Sequence, residues 1–244
     1  MNKIAVLTSG GDSPGMNAAI RAVVRNASYS GLECDGVYRG YQGLIENEFI
    51  ELGPRDVKNT INRGGTFLKS ARSKGFMTKE GRKIAYENLK ARHIDALVVI
   101  GGDGTFTGAS VFSKEFDMPI IGIPGTIDND INGTDYTIGY DTALNTVVEA
   151  IDKIRDTASS HDRLFLVEVM GRDAGDIALN SGIGAGAEEI LIPEENLGVN
   201  RLIESLDKSR KTGKSSSIVV ASEGEQIGKN ITKVAEAIQE NLPD

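Results

Sequence analysis

The sequence predicts an α/β protein built from two doubly wound, mostly parallel-sheet domains, and three observations carry that reading. Short apolar runs alternate with amphipathic stretches along the chain, the order expected when helices cross over between parallel strands. Two of these runs, Ala96-Leu97-Val98-Val99-Ile100 and Pro119-Ile120-Ile121-Gly122-Ile123, have the length and composition of buried strands. Each runs into a polar glycine loop, Gly101-Gly102-Asp103-Gly104-Thr105 and Pro124-Gly125-Thr126-Ile127-Asp128-Asn129-Asp130. Both loops therefore lie at the carboxyl ends of strands, the edge where open α/β sheets bind ligands.

In chain order, Ile4–Thr8 reads as a buried strand, Ser9–Pro14 as a glycine loop, and Asn17–Tyr29 as a helix with Ala18, Ala19, Ala22 and Val23 on its apolar side. Asp35–Tyr38 is a second strand. Gly53–Phe76 mixes Arg, Lys, Gly and Asn without a period and reads as loop around a short helix near Val57–Asn62. Helix Lys79–Ala91, strand Asp95–Ile100, helix Thr105–Phe116 and strand Pro119–Ile123 follow. Asp141–Ala158 has the clearest helical period, with Leu144, Val147, Val148, Ile151 and Ile154 in one stripe. The pattern then restarts as strand Leu164–Val169, helix Asp173–Ser181, strand Ile190–Ile192, helix Asn200–Lys211, strand Ser217–Ala221 and helix Asn230–Asn241. That restart divides the chain into a larger domain, 1–138, and a smaller one, 139–244. Leu242-Pro243-Asp244 closes a helix and adds no strand, so the sequence is expected to be a piece of a longer chain.

Apolar residues make up 39% and charged residues 25% of the 244, the balance of a soluble globular protein with a real core. A net charge of −8 argues against a nucleic-acid partner. It leaves room for an anionic ligand, because a local arginine cluster binds phosphate inside an acidic protein. Cys34 is the only cysteine, which excludes an intrachain disulfide and a cysteine zinc site, and it reads as a core thiol. No apolar stretch reaches membrane-spanning length, and Ile4-Ala5-Val6-Leu7 is too short for a signal peptide. The expected setting is cytoplasmic, without a membrane partner.

The loop Thr8-Ser9-Gly10-Gly11-Asp12-Ser13-Pro14-Gly15 joins the first strand to the first helix, where glycine backbone and free helix amides suit an anion. It is neither a Walker A loop nor a dinucleotide fingerprint, and structural loops also use such turns. The Gly101–Thr105 run repeats the device with a carboxylate inside it. Asp103 there suits a magnesium ion between carboxylate and phosphate, or equally a helix N-cap. In the next loop, Thr126, Asp128 and Asp130 offer a hydroxyl and two carboxylates at i, i+2. One carboxylate could take a proton from an alcohol while the other holds metal; Asx turns are the plainer alternative. Arg72, Arg163 and Arg172 sit in loops or at strand ends, where arginine forks onto phosphate or forms a surface ion pair. Arg21 and Arg25 share one helix face, as on a solvated surface. Neither His93 nor His161 has metal-ligand spacing.

With Leu7–Asp12, Gly15-Met16-Asn17-Ala18-Ala19-Ile20-Arg21, Arg63-Gly64-Gly65-Thr66, Gly101–Thr105, Pro124–Asp130 and Glu168-Val169-Met170-Gly171-Arg172 taken together, the chain resembles the bacterial ATP-dependent 6-phosphofructokinases from its first residue to its last. The resemblance implies transfer of the γ-phosphoryl group of MgATP to the 1-hydroxyl of fructose 6-phosphate, two α/β domains with the active site between them, and an allosteric homotetramer. It implies that Gly11, Arg72, Ser73, Gly102, Asp103, Gly104 and Thr105 bind ATP, with Asp103 on Mg²⁺. Asp128 would be the base, Thr126, Ile127 and Asp130 its neighbours at the reacting centre, and Arg172 the stabiliser of the transferring phosphoryl group. Met170, Gly171 and Glu223 would meet the sugar, and Arg163 the sugar phosphate of an adjacent subunit. Arg21, Arg25, Arg55, Arg155, Gly186, Glu188 and Lys214 would form an effector site for a nucleoside diphosphate or phosphoenolpyruvate.

Gly104 and Gly125 stand where pyrophosphate-using relatives resemble Asp and Lys, which points to ATP as donor. The family's usual Gly-Lys-Lys run is Gly213-Lys214-Ser215 here, with Thr212 before it, so the effector site is expected to carry less positive charge. Family chains also continue past Asp244 into a Gly-His-x-Gln-Arg-Gly-Gly segment that binds the sugar phosphate. Without it, this chain is expected to bind fructose 6-phosphate weakly and to expose apolar surface. Two alternatives remain: a catalytically silent nucleotide-binding subunit, and an NAD or lipid kinase, which share the Gly-Gly-Asp-Gly-Thr run. The Pro124–Asp130 and Met170–Arg172 runs favour the sugar-phosphate kinase.

Overall fold

Parallel pairing organises the chain, as the apolar runs predict. The computed structural model describes residues 1–161, 163–195, 198–214, 216–223 and 231–241. Its contacts divide the chain into two compact units, Met1–Ile127 with Ile131–Gly139, and Asp128–Asp130 with Tyr140–Asp244. The expected helix start at Asn230, the closing Leu242-Pro243-Asp244 and Ser215 of the Gly213–Ser215 run lie outside the described residues.

In the first unit, β1 (Lys3–Thr8), β2 (Glu33–Val37), β3 (Phe49–Glu51), β4 (Ala96–Gly101) and β5 (Ile120–Pro124) form one sheet in the order β3-β2-β1-β4-β5. All its pairings are parallel except β2 with β3. The period-two alternation of β1 and β4 sorts their residues onto two faces. Ala5, Leu7, Leu97 and Val99 pack with Phe76, Phe112 and Met118. Ile4, Val6 and Ile100 pack with Cys34 and with Met16, Ile20 and Val24 of α1 (Met16–Tyr29). Burial, then the charge of Asp35, pushes the Cys34 thiol up to about 12, so it is an inert core group.

The buried face of α1 is Met16, Asn17, Ile20, Val24 and Ala27, not the expected Ala18, Ala19, Ala22 and Val23. The larger side chains remove more area from water and set the helix's rotation. Two elements had no sequence signal: α2 (Gly40–Glu46) and the edge strand β3. Gly40 and Gly43 both lie in the helix. A Cβ at Gly40 would come 2.5 Å from the Thr8 carbonyl, and one at Gly43 would come 1.7 Å from that of Tyr38. Gly40 lets α2 sit hard against the end of β1, and Gly43 lets it sit against the residue that follows β2. The helix expected near Val57–Asn62 is a run of turns, with Lys58 donating to the Arg55 carbonyl and Arg63 to that of Thr60. Asn59 takes a left-handed φ of 58°, which stops any helix there. After it, α3 (Lys79–Ala91) starts on the Thr78 side chain, which accepts from the Gly81 amide at 3.1 Å. Helix α4 (Asp103–Phe116) begins two residues earlier than expected, with Gly102 as N-cap. Asp103 therefore lies inside the first turn, and the N-cap alternative for it falls.

In the second unit, β6 (Leu164–Val169), β7 (Glu189–Leu191) and β8 (Ser217–Ser222) pair in parallel in the order β6-β8-β7. Helices α5 (Tyr140–His161), α6 (Asp176–Ala185), α7 (Gly198–Lys211) and α8 (Ile231–Asn241) accompany them. The core holds Leu191, Leu202, Leu206, Val219, Ala221, Val234 and Ile238. Along α5, Ile151 and Ala158 are buried, while Leu144, Val147, Val148 and Ile154 of the expected stripe are partly exposed. Helix α6 starts later than Asp173 because Gly171 to Ala174 forms a turn, the Ala174 amide donating to the Gly171 carbonyl at 3.0 Å. Among the described residues, no helix is long and apolar enough to cross a membrane.

Phe112 is fully buried, with ring centroids 5.4 Å from Phe76 and 5.2 Å from Phe116. Phe112→Ala is expected to cost about 3–5 kcal/mol by chemical denaturation; a loss below about 1 kcal/mol would show that this cluster does not carry the first unit's stability.

Candidate active site

Strand order fixes where a ligand can sit on the first unit. From β1 the chain moves to β2 on one side and returns to β4 on the other. The crevice beyond the carboxyl ends of β1 and β4 is thus the topological switch point, the usual ligand site of an open α/β sheet. The loops there are Ser9–Gly15 and Gly102–Thr105. The Ser9 amide donates to the Ile100 carbonyl at 3.0 Å, and Thr105 Oγ1 donates to the Ser9 carbonyl at 3.1 Å. A Cβ on Gly101 would lie 2.4 Å from Thr105 Oγ1 and 2.5 Å from the Ser9 carbonyl, so only glycine permits this closure. Gly11, Asp103 and Gly104 are exposed on the rim. A Cβ on Gly11 or Gly104 would meet nothing within 4 Å. The rim is bare backbone beside the positive end of the α4 dipole.

A third segment is tied to this rim. Asn17, 2% exposed, donates from Nδ2 to the carbonyls of Arg63 at 2.9 Å and Gly64 at 3.2 Å, and its Oδ1 accepts from the Phe67 amide at 2.9 Å. Thr8 Oγ1 donates to the Lys69 carbonyl at 2.8 Å, and Ser70 Oγ donates to that of Gly10. Held this way, the segment presents Arg72 to solvent and Ser73 half-buried. Sequence reasoning missed Asn17; its signal was a polar residue at a position with the period of α1's buried face. On the neighbouring strand, the Gly125 amide donates to the Gly101 carbonyl at 3.0 Å, and the Thr126 carbonyl accepts from Gly139 at 3.0 Å. A Cβ on Gly125 would come 2.6 Å from Ile100 Cγ2. Thr126 and Ile127 are half-buried.

In the second unit the site gathers at the carboxyl ends of β6 and β8, whose last residues, Val169 and Ser222, pair in register. Beyond Val169 the chain turns sharply, with Gly171 at φ 146° and Arg172 at φ 55°. A left-handed arginine is strained by about 1–2 kcal/mol. Glu223 offsets that strain: its Oε1 accepts from the Gly171 amide at 3.2 Å and the Arg172 amide at 2.8 Å. The Arg172 guanidinium then reaches two carboxylates, donating to Asp130 Oδ2 at 3.2 Å and placing Nε 4.0 Å from Asp128 Oδ2. Asp128 is 8% exposed. Burial, then the Asp130 charge, lifts its carboxyl above the usual range, with Glu223 adding and Arg172 opposing. Met170 is 60% exposed at the same edge, and Arg163 is exposed at the start of β6.

The residues expected at an effector site fall into a set in each unit. In the first, Arg21 Nη1 donates to the Val57 carbonyl at 2.7 Å, so it anchors a turn and is not part of a free solvated face. Arg25 and Arg55 are exposed. In the second, Arg155 donates to the carbonyls of Ala185 at 2.6 Å and Gly186 at 2.8 Å. Its guanidinium lies 3.9 Å from Glu188, which also takes Lys214 at 3.1 Å and the Ile218 amide at 2.6 Å. Burial pushes the Glu188 carboxyl up, but the Ile218 amide and the Lys214 ammonium outweigh it and hold the group below its ordinary range.

Asp128 yields a stability prediction. A carboxyl whose pKa is raised on folding contributes stability below its unfolded pKa and loses it as pH rises through the folded value. At neutral pH its ionised form is therefore a liability. Asp128→Asn is expected to raise the thermal midpoint by about 2 °C near pH 7.5; a lowered midpoint would mean that Arg172, not burial, dominates that carboxylate.

Comparison with known proteins places these features in a family. The phosphofructokinase family model matches residues 3–243. An ATP-dependent 6-phosphofructokinase of Bacteroides thetaiotaomicron is 57% identical over 98% of this chain and 73% of its own length. One from Thermus thermophilus is 57% identical over 99% of this chain and 75% of its own length. Among solved structures, phosphofructokinase from Saccharomyces cerevisiae superposes with a TM-score of 0.93 at 40% identity, covering 100% of this chain and 37% of the yeast chain.

Proposed function

The chain belongs to the phosphofructokinase family, and from that premise we propose that it transfers the γ-phosphoryl group of ATP to the 1-hydroxyl of fructose 6-phosphate. The observation that carries the proposal is the cluster of Asp128, Asp130 and Arg172, a buried carboxylate with raised proton affinity beside a positioned cation. In this reading Asp128 accepts the hydroxyl proton, the hydroxyl oxygen bonds to the γ-phosphorus, and the bond to the β,γ-bridging oxygen breaks with its electrons leaving on ADP. Arg172 stabilises the charge on the transferring group. Thr126, Ile127 and Asp130 flank the reacting centre. Met170, Gly171 and Glu223 meet the sugar, and Arg163 meets a sugar phosphate held by a neighbouring subunit.

Gly11, Arg72, Ser73, Gly102, Gly104 and Thr105 hold the nucleotide. Asp103 fits Mg²⁺ bound with ATP: it is a single exposed carboxylate in the first turn of α4. Mg²⁺ is commonly held by one or two carboxylates together with phosphate oxygens and water. Among the described residues no group of three or more candidate side chains forms an all-protein metal cage. When bound, the ion would neutralise phosphate charge. The open space at Gly104 supports ATP over pyrophosphate as donor, since an aspartate there would project onto the rim. Arg21, Arg25 and Arg55, and separately Arg155, Gly186, Glu188 and Lys214, are assigned to contacts with a nucleoside diphosphate or phosphoenolpyruvate effector in a cytoplasmic homotetramer.

The test is turnover of fructose 6-phosphate with ATP and pyrophosphate in parallel. ATP-dependent turnover is expected, and Asp128→Ala is expected to lower kcat by about 10²–10⁴-fold with MgATP binding unchanged. Turnover with pyrophosphate alone, or full activity in Asp128→Ala, would overturn the reading.

A further inference from the structure

Tyr41 and Gln42 are neighbours at the start of α2, and each reaches a different piece of the proposed nucleotide rim. The Tyr41 side chain is 5% exposed, and its hydroxyl donates to the Thr105 carbonyl at 2.6 Å. A carbonyl has two acceptor positions, so this bond adds to the helical bonding of α4. The Tyr41 ring lies flat on Phe76, centroids 4.0 Å and planes 8° apart. Burial pushes the Tyr41 phenol well above its ordinary range, so it remains a neutral donor at any working pH.

Gln42 is fixed from both ends. Its Oε1 accepts from Ser73 Oγ at 2.7 Å, and its Nε2 donates to Glu46 at 2.7 Å. Ser73 Oγ in turn accepts from the Phe76 amide at 3.2 Å. The platform beneath is stiff: Arg39, at the N-cap of α2, bonds Glu46 and Glu48, and Gly40 abuts the Thr8 carbonyl. One short helix therefore fixes the first turn of α4 and the 70–77 segment relative to the end of β1.

We propose that Tyr41 and Gln42 are positioning residues for the nucleotide, setting the geometry of Thr105 and Ser73 respectively. The inference rests on the kinase reading above and concerns residues that reading does not use. Its prediction is selective, because both residues act on the nucleotide rim of the first unit.

The experiment compares wild type, Tyr41→Phe and Gln42→Met by direct MgATP titration and by steady-state kinetics. Tyr41→Phe keeps the stacked ring and deletes one hydroxyl; Gln42→Met keeps the length and deletes the acceptor. Both are expected to raise the MgATP dissociation constant and KM by about three- to tenfold, with kcat within twofold and the KM for fructose 6-phosphate unchanged. A lowered thermal midpoint with unaltered MgATP affinity in both variants would assign these residues a purely structural role and overturn the inference alone. Equal losses for both substrates would overturn it as well. A wild-type chain that binds no MgATP would overturn the kinase reading and this inference together.

Discussion

Two carboxylates share the Arg172 guanidinium in the second unit while a third holds its backbone, and the proposed chemistry depends on how that imbalance is held. Asp128 and Asp130 repel each other, burial disfavours charge on Asp128, and Glu223 adds a further negative group. Arg172 alone opposes them among the groups that set the Asp128 carboxyl. Its position depends in turn on a left-handed backbone that an arginine adopts only under constraint. The constraint is the pair of charge-assisted bonds from the Gly171 and Arg172 amides to Glu223. One carboxylate thus aims the cation, and the cation answers to two others. The outcome is a base whose proton affinity is raised but whose neighbour can receive charge.

The first unit solves a different problem, that of bringing backbone close to an anion without obstruction. Gly101 lets Thr105 and the Ser9 carbonyl close over the end of β4, while Gly11 and Gly104 leave the rim bare. Glycine gives access but no stiffness. Stiffness comes from behind, through Asn17 pinning the 63–67 segment and through α2 bracing Thr105 and Ser73. Access and rigidity are therefore supplied by different residues, and the motif that contains Asn17 does not reveal which partners it holds.

That division explains what could be read from the sequence. Buried parallel strands announce themselves by apolar runs, and glycine loops by composition, so the sheets and the loops at their carboxyl edges were legible. The Pro124–Asp130 and Met170–Arg172 runs marked residues that the fold does bring together within one unit. Features decided by distant partners were not legible. Helix α2 was given no reading from the sequence, because its glycines answer to the carbonyls of Thr8 and Tyr38. The Val57–Asn62 segment looked helical because nothing local reveals Asn59 at positive φ or Arg21 anchoring the Val57 carbonyl. The face of α1 was misassigned because alanines are apolar but bury little area beside Met16, Ile20 and Val24. Glu223 was assigned to the sugar; its hold on the Arg172 backbone emerges only when β6 and β8 are paired.

The central claim is that Asp128 is a base whose proton affinity is set by burial and by Asp130. It is tested most directly by the pH dependence of kcat/KM for fructose 6-phosphate in wild type and in Asp130→Asn. Activity should fall as pH drops through the Asp128 pKa, because the base must be ionised. Removing the Asp130 charge takes away a like-charge neighbour and leaves Arg172 to Asp128, so the acid limb of the variant should shift to lower pH. An acid limb at the same pH in both proteins, or one shifted upward, would contradict the account.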